Sequence, residues 1–245
     1  GFSSVEEAVG RTDLLKVKDN RLPGLVNLLV KVDNPYRDLD LPKLERDFGS
    51  SPEEFDIIQA IKNGNREISI DGHNGIRSLG ARIGFLEQTD PQIKTILSEE
   101  GVRINGTLFG QSTGFGMPPG LTIVADVMND GTGSSGRGTI VTKVTGNHFA
   151  YGAWEGNYIA GDAGERCGIS LSGGKVLVDR AGMHAASFMR SGVFSVLGDP
   201  SCYPGLEDIS FLQKGHTRNS ILGPNFGSGY SGGVIMMPKS VYEDV

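Results

Sequence analysis

Gly156-Asn-Tyr-Ile-Ala-Gly-Asp-Ala-Gly164 and Gly174-Lys-Val-Leu-Val-Asp-Arg-Ala-Gly182 stand eighteen residues apart and follow one plan. Each opens on a glycine, runs through a short β-prone stretch and reaches a second glycine eight residues on. The first column also holds Gly120, Gly138 and Gly192, and the second holds Gly146, all at the same period. The β-prone runs are Leu121–Val124, Thr139–Val141, Asn157–Ile159, Lys175–Val178 and Val193–Val196, and the register reaches back to Gly84-Phe85-Leu86. A unit of this length with a four-residue strand has no room for a helical hairpin. It fits one coil of a solenoid in which each strand stacks in parallel on the next. The expected fold is all-β, a parallel β-helix of about eighteen residues per coil.

This register aligns Ile123, Val141, Ile159 and Leu177 in one column and Ile140, Tyr158, Val176 and Phe194 in its neighbour. Adjacent strand residues face opposite ways. One column therefore fills the interior, and the other lies under an N-terminal arm or a partner. The glycines are expected at corners, where the backbone takes φ > 0 or approaches the next coil closely. A hexapeptide-repeat acyltransferase, whose period of six divides eighteen, needs apolar residues every sixth position. Leu177, Met183 and Met189 comply, but Val141, Asn147 and Ala153 do not. That reading is rejected, and with it a catalytic role for His184 by that analogy.

Composition divides the chain. Glycine supplies 37 of 245 residues, about twice the usual ~7%. Residues 1–70 hold 5 glycines and 23 charged side chains, against 32 and 29 in residues 71–245. We read 1–65 as a charged arm with helices and 66–245 as the glycine-rich β-helix domain. Ser4-Val5-Glu6-Glu7 has capping-box spacing and predicts a short helix over Val5–Val9. Ser51-Pro52-Glu53-Glu54 sets a capping serine, a first-turn proline and two acids at the start of a helix over Ser51–Asn63. A further helix is expected from Asp90-Pro91 to Gly101, and a first strand within Arg66–Asp71.

A net charge of −6 disfavours nucleic acid and anionic membrane as partners. No apolar run is long enough for a membrane span, and the N-terminus lacks a secretory layout, so a cytoplasmic protein is expected. Two cysteines, Cys167 and Cys202, exclude a disulfide scaffold or a four-thiolate metal site. Gly131-Thr-Gly133-Ser-Ser-Gly136 matches G-x-G-x-x-G, but a dinucleotide site needs a helix after it, and here a strand follows. His73, His148, His184 and His216 are too scattered for ligand spacing. His148 and His184 would stand two coils, about 10 Å, apart in a polar column with Arg166 between them and Cys202 beyond. Glu165-Arg166 and Asp179-Arg180 are expected to pair across corners, and Cys167 to be buried and inert. Asn105-Gly-Thr107 is a glycosylation sequon without consequence in an unsecreted chain. No catalytic, cofactor-binding or metal residue is assigned.

Three segments carry a family resemblance: Gly161-Asp-Ala-Gly164-Glu-Arg-Cys-Gly168, its continuation Ile169-Ser-Leu-Ser-Gly173-Gly174, and Gly223-Pro-Asn-Phe-Gly227-Ser-Gly229-Tyr-Ser-Gly232-Gly233. Together they resemble the C-terminal glycine-rich (GXGXG) domain of the glutamate synthase large subunit. They are also similar to the glycine-rich subunit of formylmethanofuran dehydrogenase. Gly10-Arg-Thr-Asp-Leu-Leu15 looks like the stretch leading into that domain. The resemblance implies a right-handed β-helix, in keeping with the usual hand of parallel crossovers. It also implies a non-catalytic brace between a glutamine amidotransferase and an FMN-binding synthase, helping to enclose the passage for ammonia.

On that resemblance no cofactor is expected in this chain, and FMN and Fe–S are expected on partner subunits. Gly1 is not the amidotransferase's cysteine nucleophile, so a complete glutamate synthase is not expected. Residues 16–64 align with nothing recognised, and Pro200–Leu222 reads as an insertion breaking the period. The leading reading is a scaffold and channel-wall subunit of a glutamate-synthase-like complex. A formyl-transferring or N-methylglutamate-forming complex would use the same solenoid. An independent β-helix enzyme or carbohydrate binder ranks last, because Tyr151, Tyr158 and Tyr230 form no eighteen-spaced row. The expected partners are the amidotransferase and the FMN-binding subunit, or a second copy. The apolar patch to receive them is placed at Phe109, Phe115, Met117 and Pro118-Pro119.

Overall fold

The computed structural model describes residues 51–198 and 222–242. The helix expected over Val5–Val9, most of the charged arm, Cys202 and His216 lie outside the described residues. The compact unit that contains the described residues runs Asp47–Val245. Its strands are β1 (Glu67–Ser69), β2 (Val102–Phe109), β3 (Leu121–Met128), β4 (Thr139–Thr145), β5 (Asn157–Ala163), β6 (Ser172–Ala181), β7 (Ser191–Val196) and β8 (Val234–Met236). They pair parallel in chain order to form one eight-stranded sheet. Sequence neighbours that pair in parallel require a return path after every strand, so the chain winds as a β-solenoid, as the glycine period implies.

The coil length is eighteen on average but not throughout. The step is 19 from β2 to β3 (Val102 beside Leu121) and 17 from β3 to β4 (Ile123 beside Ile140). It is 18 from β4 to β5 and from β5 to β6. The short step corrects the expected columns, because Ile123 stacks on Ile140 and Val141 stacks on Val124. Ile104, Ile123, Ile140, Tyr158, Val176 and Phe194 form the interior column and are fully buried. Val124, Val141, Ile159 and Leu177 form the outward column, half-buried on the sheet face.

The glycine columns also divide by role. Gly156 takes φ +85, and a Cβ there would fall 1.9 Å from the Gly138 carbonyl oxygen. Gly138 and Gly174 do not take φ > 0, contrary to the uniform corner expected of that column. The second column is set by close approach alone. A Cβ on Gly146, Gly164 or Gly182 would come within 2.8 Å of the preceding coil, although none of the three has positive φ. Beside this column Asp130 Oδ1 accepts the Asn147 N–H at 2.7 Å, and Asn147 Oδ1 accepts the Glu165 N–H at 2.8 Å. Each coil's side chain thus satisfies a backbone donor of the next.

The period breaks where the sequence placed an insertion. Val193 pairs with Val234 and Ala181 with Leu222, steps of 41 residues, and Gly223 resumes the column of Gly182. The extra residues enter in mid-coil, between Gly198 and Leu222, beside the end of β6 where Arg180 is followed by Ala181.

The β1-to-β2 step is 36 residues (Glu67 beside Arg103), and its extra length is helical. Helix α1 (Pro52–Lys62) precedes β1, while α2 (Ala81–Thr89) and α3 (Pro91–Glu99) fill the long coil. A last short helix, α4, spans Lys239–Tyr242. Helix α1 starts on proline with two acids, as its sequence predicts, but Ser51 makes no side-chain cap bond. In α3, Asp90 caps the amides of Gln92 and Ile93. The strand register does not reach Gly84-Phe85-Leu86, which lies in α2. The reason is tertiary: Glu54 Oε1 on α1 accepts the N–H groups of Gly80 (3.0 Å), Arg82 (3.1 Å) and Ile83 (3.2 Å), satisfying the start of α2. Ile57, Ile58 and Ile61 of α1 join Ile83, Ile93 and Ile96 in the core that continues into the coils.

Burial pushes the Glu54 carboxyl from 4.5 up to about 7, against the pull of the three amides. The folded form therefore holds this proton more tightly than the unfolded chain. The contribution is complete below about pH 4.5 and is lost as pH rises through about 7. Its full size is about 3 kcal/mol. Urea unfolding at pH 5.5 and 8 should show wild type gaining stability at the lower pH relative to Glu54→Gln. Parallel pH profiles of the two proteins would contradict this assignment.

Candidate functional site

Opposite faces of each coil differ in how they are made. One is the sheet; the other is a corner of consecutive turns in which every second residue is left-handed. Gly131, Gly133 and Ser135 take φ 75, 73 and 52. His148, Ala150 and Gly152, then Arg166, Gly168 and Ser170, then His184, Ala186 and Phe188 repeat the pattern. The N–H groups of these left-handed residues reach neighbouring coils, as in Gly133 N–H to Thr113 O (2.7 Å) and Ser135 N–H to Tyr151 O (2.8 Å). The residues between them close local turns, as in Ser134 N–H to Gly131 O (3.2 Å).

This pattern accounts for the G-x-G signal. Gly131-Thr-Gly133 is a corner with a strand, β4, after it and no helix, so it lacks the context of a dinucleotide loop. At Gly133 a Cβ would fall 2.7 Å from the Tyr158 ring, so the middle left-handed column faces the interior and stays small. The flanking left-handed columns face outward and accept larger side chains. Non-glycine residues at φ > 0 are strained, and here inter-coil hydrogen bonds hold them.

His148, Arg166 and His184 share one outward column, all near φ 60, as the register requires. The next member is Asn225 rather than Cys202, because the column resumes only after the insertion. Asn225 Nδ2 stands 3.4 Å from His184 Nε2. His73 lies elsewhere, 3.2 Å from Glu53. Among the described residues no group of three or more His, Cys, Asp or Glu side chains is placed to share a metal ion. Cys167 is fully buried, and burial raises its thiol well above the usual range. The expected pairing of Asp179 with Arg180 is corrected: Arg180 reaches Asp162 on the preceding coil at 2.6 Å, its direct ladder partner. Arg166 makes no ion pair with Glu165. Asn105 lies on β2 and donates to Glu67 at 3.1 Å. A polar cleft of about 360 Å³ is lined by Asn74, Gly75, Arg77, Gln111 and Asn129, where Arg77 is held by Gln111 and Asn129 by Asn74.

The expected apolar patch is also corrected. Phe109, Met117 and Pro118 are buried inside the unit, and only Phe115 and Pro119 reach the surface. Five exposed aromatic residues instead lie on the left-handed corner, Phe115, Tyr151, Trp154, Phe188 and Tyr230, while Phe55 and Phe85 are exposed on α1 and α2. Tyr158, counted with Tyr151 and Tyr230 from sequence, is an interior residue. The signal was hidden because Phe115 and Tyr151 stand two coils apart with Ser134 between them, Phe188 lies one column over, and Tyr230 follows the insertion. Among the described residues no helix is long and apolar enough to cross a membrane.

The profile of the family described as GXGXG motif matches residues 53–243. The glutamate synthase (NADPH) large chain of Bacillus subtilis (strain 168) is 29% identical over 262 residues, spanning 96% of this chain and 16% of that protein. The ferredoxin-dependent glutamate synthase of Antithamnion sp. is 29% identical, spanning 81% of this chain and 15% of that protein. The glutamate synthase (NADPH) large chain of Azospirillum brasilense gives the same identity and the same shares. The chain thus spans about a sixth of the length of the curated relatives it matches.

Proposed function

Because the chain belongs to the GXGXG motif family, we propose that it serves as a non-catalytic scaffold and channel wall in a glutamate-synthase-like complex of the cytoplasm. Its partners in this reading are a glutamine amidotransferase polypeptide and an FMN-binding synthase polypeptide. The FMN and Fe–S groups reside on those partners. The observation that carries the reading is the alignment of nearly the whole chain with a sixth of a glutamate synthase large chain. A part of that size corresponds to one component of the larger protein rather than to the whole.

The architecture suits the role. The interior columns are filled by side chains from Ile104 through Phe194, so the coils form a packed rod rather than a vessel for substrate. A rod of stacked strands resists bending and offers long faces, which is what fixing two catalytic bodies at a set separation requires. Chemistry on the partners and position from this chain is a consistent division of labour.

The purified chain should accordingly show no flavin absorbance and release no ammonia from glutamine. Its one described thiol, Cys167, is buried and held protonated, a poor nucleophile. Stoichiometric FMN in the purified chain, or glutaminase turnover that survives rigorous purification, would overturn the non-catalytic reading.

A further inference from the structure

The left-handed corner presents one surface whose composition differs from the rest of the unit. Between its inner and outer edges run two columns set by the inter-coil hydrogen bonds. One passes through Phe115, Ser134, Tyr151, Ile169, Ser187 and Ser228. The other passes through Gly116, Ser135, Gly152, Ser170, Phe188 and Gly229. None of these residues is charged. Phe115, Tyr151 and Phe188 occupy alternate coils and are 50%, 45% and 55% exposed, and Trp154 beside them is 63% exposed. Tyr230, in the adjacent column of Met189, is exposed on the last coil and extends the aromatic surface to about 24 Å at one strand spacing per coil.

The rings are held in place. The Phe188 ring lies over Gly229 of the next coil, where a Cβ would meet it at 2.6 Å. The Tyr151 ring meets His148 edge-on with centroids 6.3 Å apart. Tyr230 Oη donates to the Gly233 carbonyl. Fixed, exposed aromatic residues among serine and glycine, without charge, are the composition of a protein-contact surface. A glycan-binding row would need carboxylates or amides flanking each ring; only Trp154 has one next to it in sequence, Glu155, and the intervening positions hold Ser134, Ser135, Ile169 and Ser170.

The border identifies the occupant. The bounding columns carry His148, Arg166 and His184 on one side and Arg137 and Arg190 on the other, with no carboxylate in either. Arg137 is neutralised by Glu87 at 3.1 Å, whereas Arg166 and Arg190 are exposed and make no ion pair among the described residues. The nearest carboxylates in sequence, those of Asp130, Glu155 and Glu165, belong to the columns beyond. A second copy docking ridge to ridge would set these arginines against their equivalents, which is repulsive. We propose that the aromatic ridge is the docking surface for a different protein, apolar at the centre of its contact face and acidic at the rim. This deepens the scaffold reading and rests on it for the existence of a partner.

The chain has a single tryptophan, and it stands beside the ridge, so this chain labelled with 5-fluorotryptophan reports on the surface through one ¹⁹F signal. The probes are the recombinant amidotransferase and FMN-binding polypeptides of the same source. Binding of either should move the Trp154 signal. Phe115→Ser/Tyr151→Ser/Phe188→Ser uses the serine that each column already carries at Ser134, Ser187, Ser135 or Ser170, so the fold should persist. This variant should lose about 100-fold in affinity. Arg166→Glu/Arg190→Glu should lose about 10-fold and reverse the salt dependence. Val141→Thr/Ile159→Thr on the outward sheet column should bind as wild type.

Wild-type binding with an unmoved Trp154 signal and an unaffected triple variant would overturn the ridge while leaving the scaffold reading in place. Failure of the wild type to bind either polypeptide would overturn both. Self-association abolished by the triple variant would replace the different protein with a second copy and so refute the proposal.

Discussion

Gly156→Val is expected to lose about 4 kcal/mol or more of folding stability. Two independent costs meet at this residue. Its φ of +85 is a region that a β-branched side chain avoids, and its Cβ would stand 1.9 Å from the Gly138 carbonyl oxygen. That oxygen accepts the Asn157 N–H at 3.1 Å, so it cannot withdraw without breaking the stacking of β5 on β4. The backbone of one coil is therefore the wall that the next coil's side chain would strike. Lys175→Val, at an exposed strand position on the following coil, should change stability by no more than about 0.5 kcal/mol. Urea unfolding of the three proteins checks both values. A Gly156→Val protein as stable as wild type would contradict the stacking described for this coil.

The repeat made the architecture legible because a solenoid writes its geometry into spacing. Gly146, Gly164 and Gly182 recur every eighteen residues since each must pass the preceding coil at close range. The strand positions and the parallel stacking followed from that spacing. Which side chains face inward did not follow, because it depends on single-residue changes of step. The 17-residue step between β3 and β4 moved Ile123 into the column of Ile140 and turned Val141, Ile159 and Leu177 outward. Strand parity makes such a slip total, reversing every side chain beyond it.

Helix α2 was illegible for a different reason. Its start is satisfied by Glu54, 26 residues earlier than Gly80, and no local capping signal marks Ala81. Phe109 and Met117 sit beside Pro118-Pro119 in a run that reads like loop surface, yet both are buried by the coils that stack on them. The aromatic ridge was missed for the converse reason. Phe115, Tyr151 and Phe188 look unrelated in sequence and become neighbours only once the corner columns are known. The left-handed corner itself could have been read from Gly131-Thr-Gly133-Ser-Ser135, since alternate left-handed residues favour glycine at alternate positions. The non-glycine members, His148, Arg166, His184 and Phe188, hide that alternation on the other coils.

The largest functional effect is expected in the assembled complex. If this chain fixes the separation of an amidotransferase and an FMN-binding synthase, then ammonia released at one reaches the other only when the chain is present. Glutamine-dependent glutamate formation should then fall to background without it, while ammonia-dependent synthesis by the FMN-binding polypeptide continues. The loss belongs to coupling rather than to either chemistry, so it separates a brace from a catalyst. The direct measurement is light scattering of the three purified polypeptides, alone and mixed, with glutamine-dependent turnover recorded on the same samples. A three-component particle whose assembly and turnover both require this chain is the expected result. Two partners that assemble and turn over glutamine equally well without it would contradict the scaffold role.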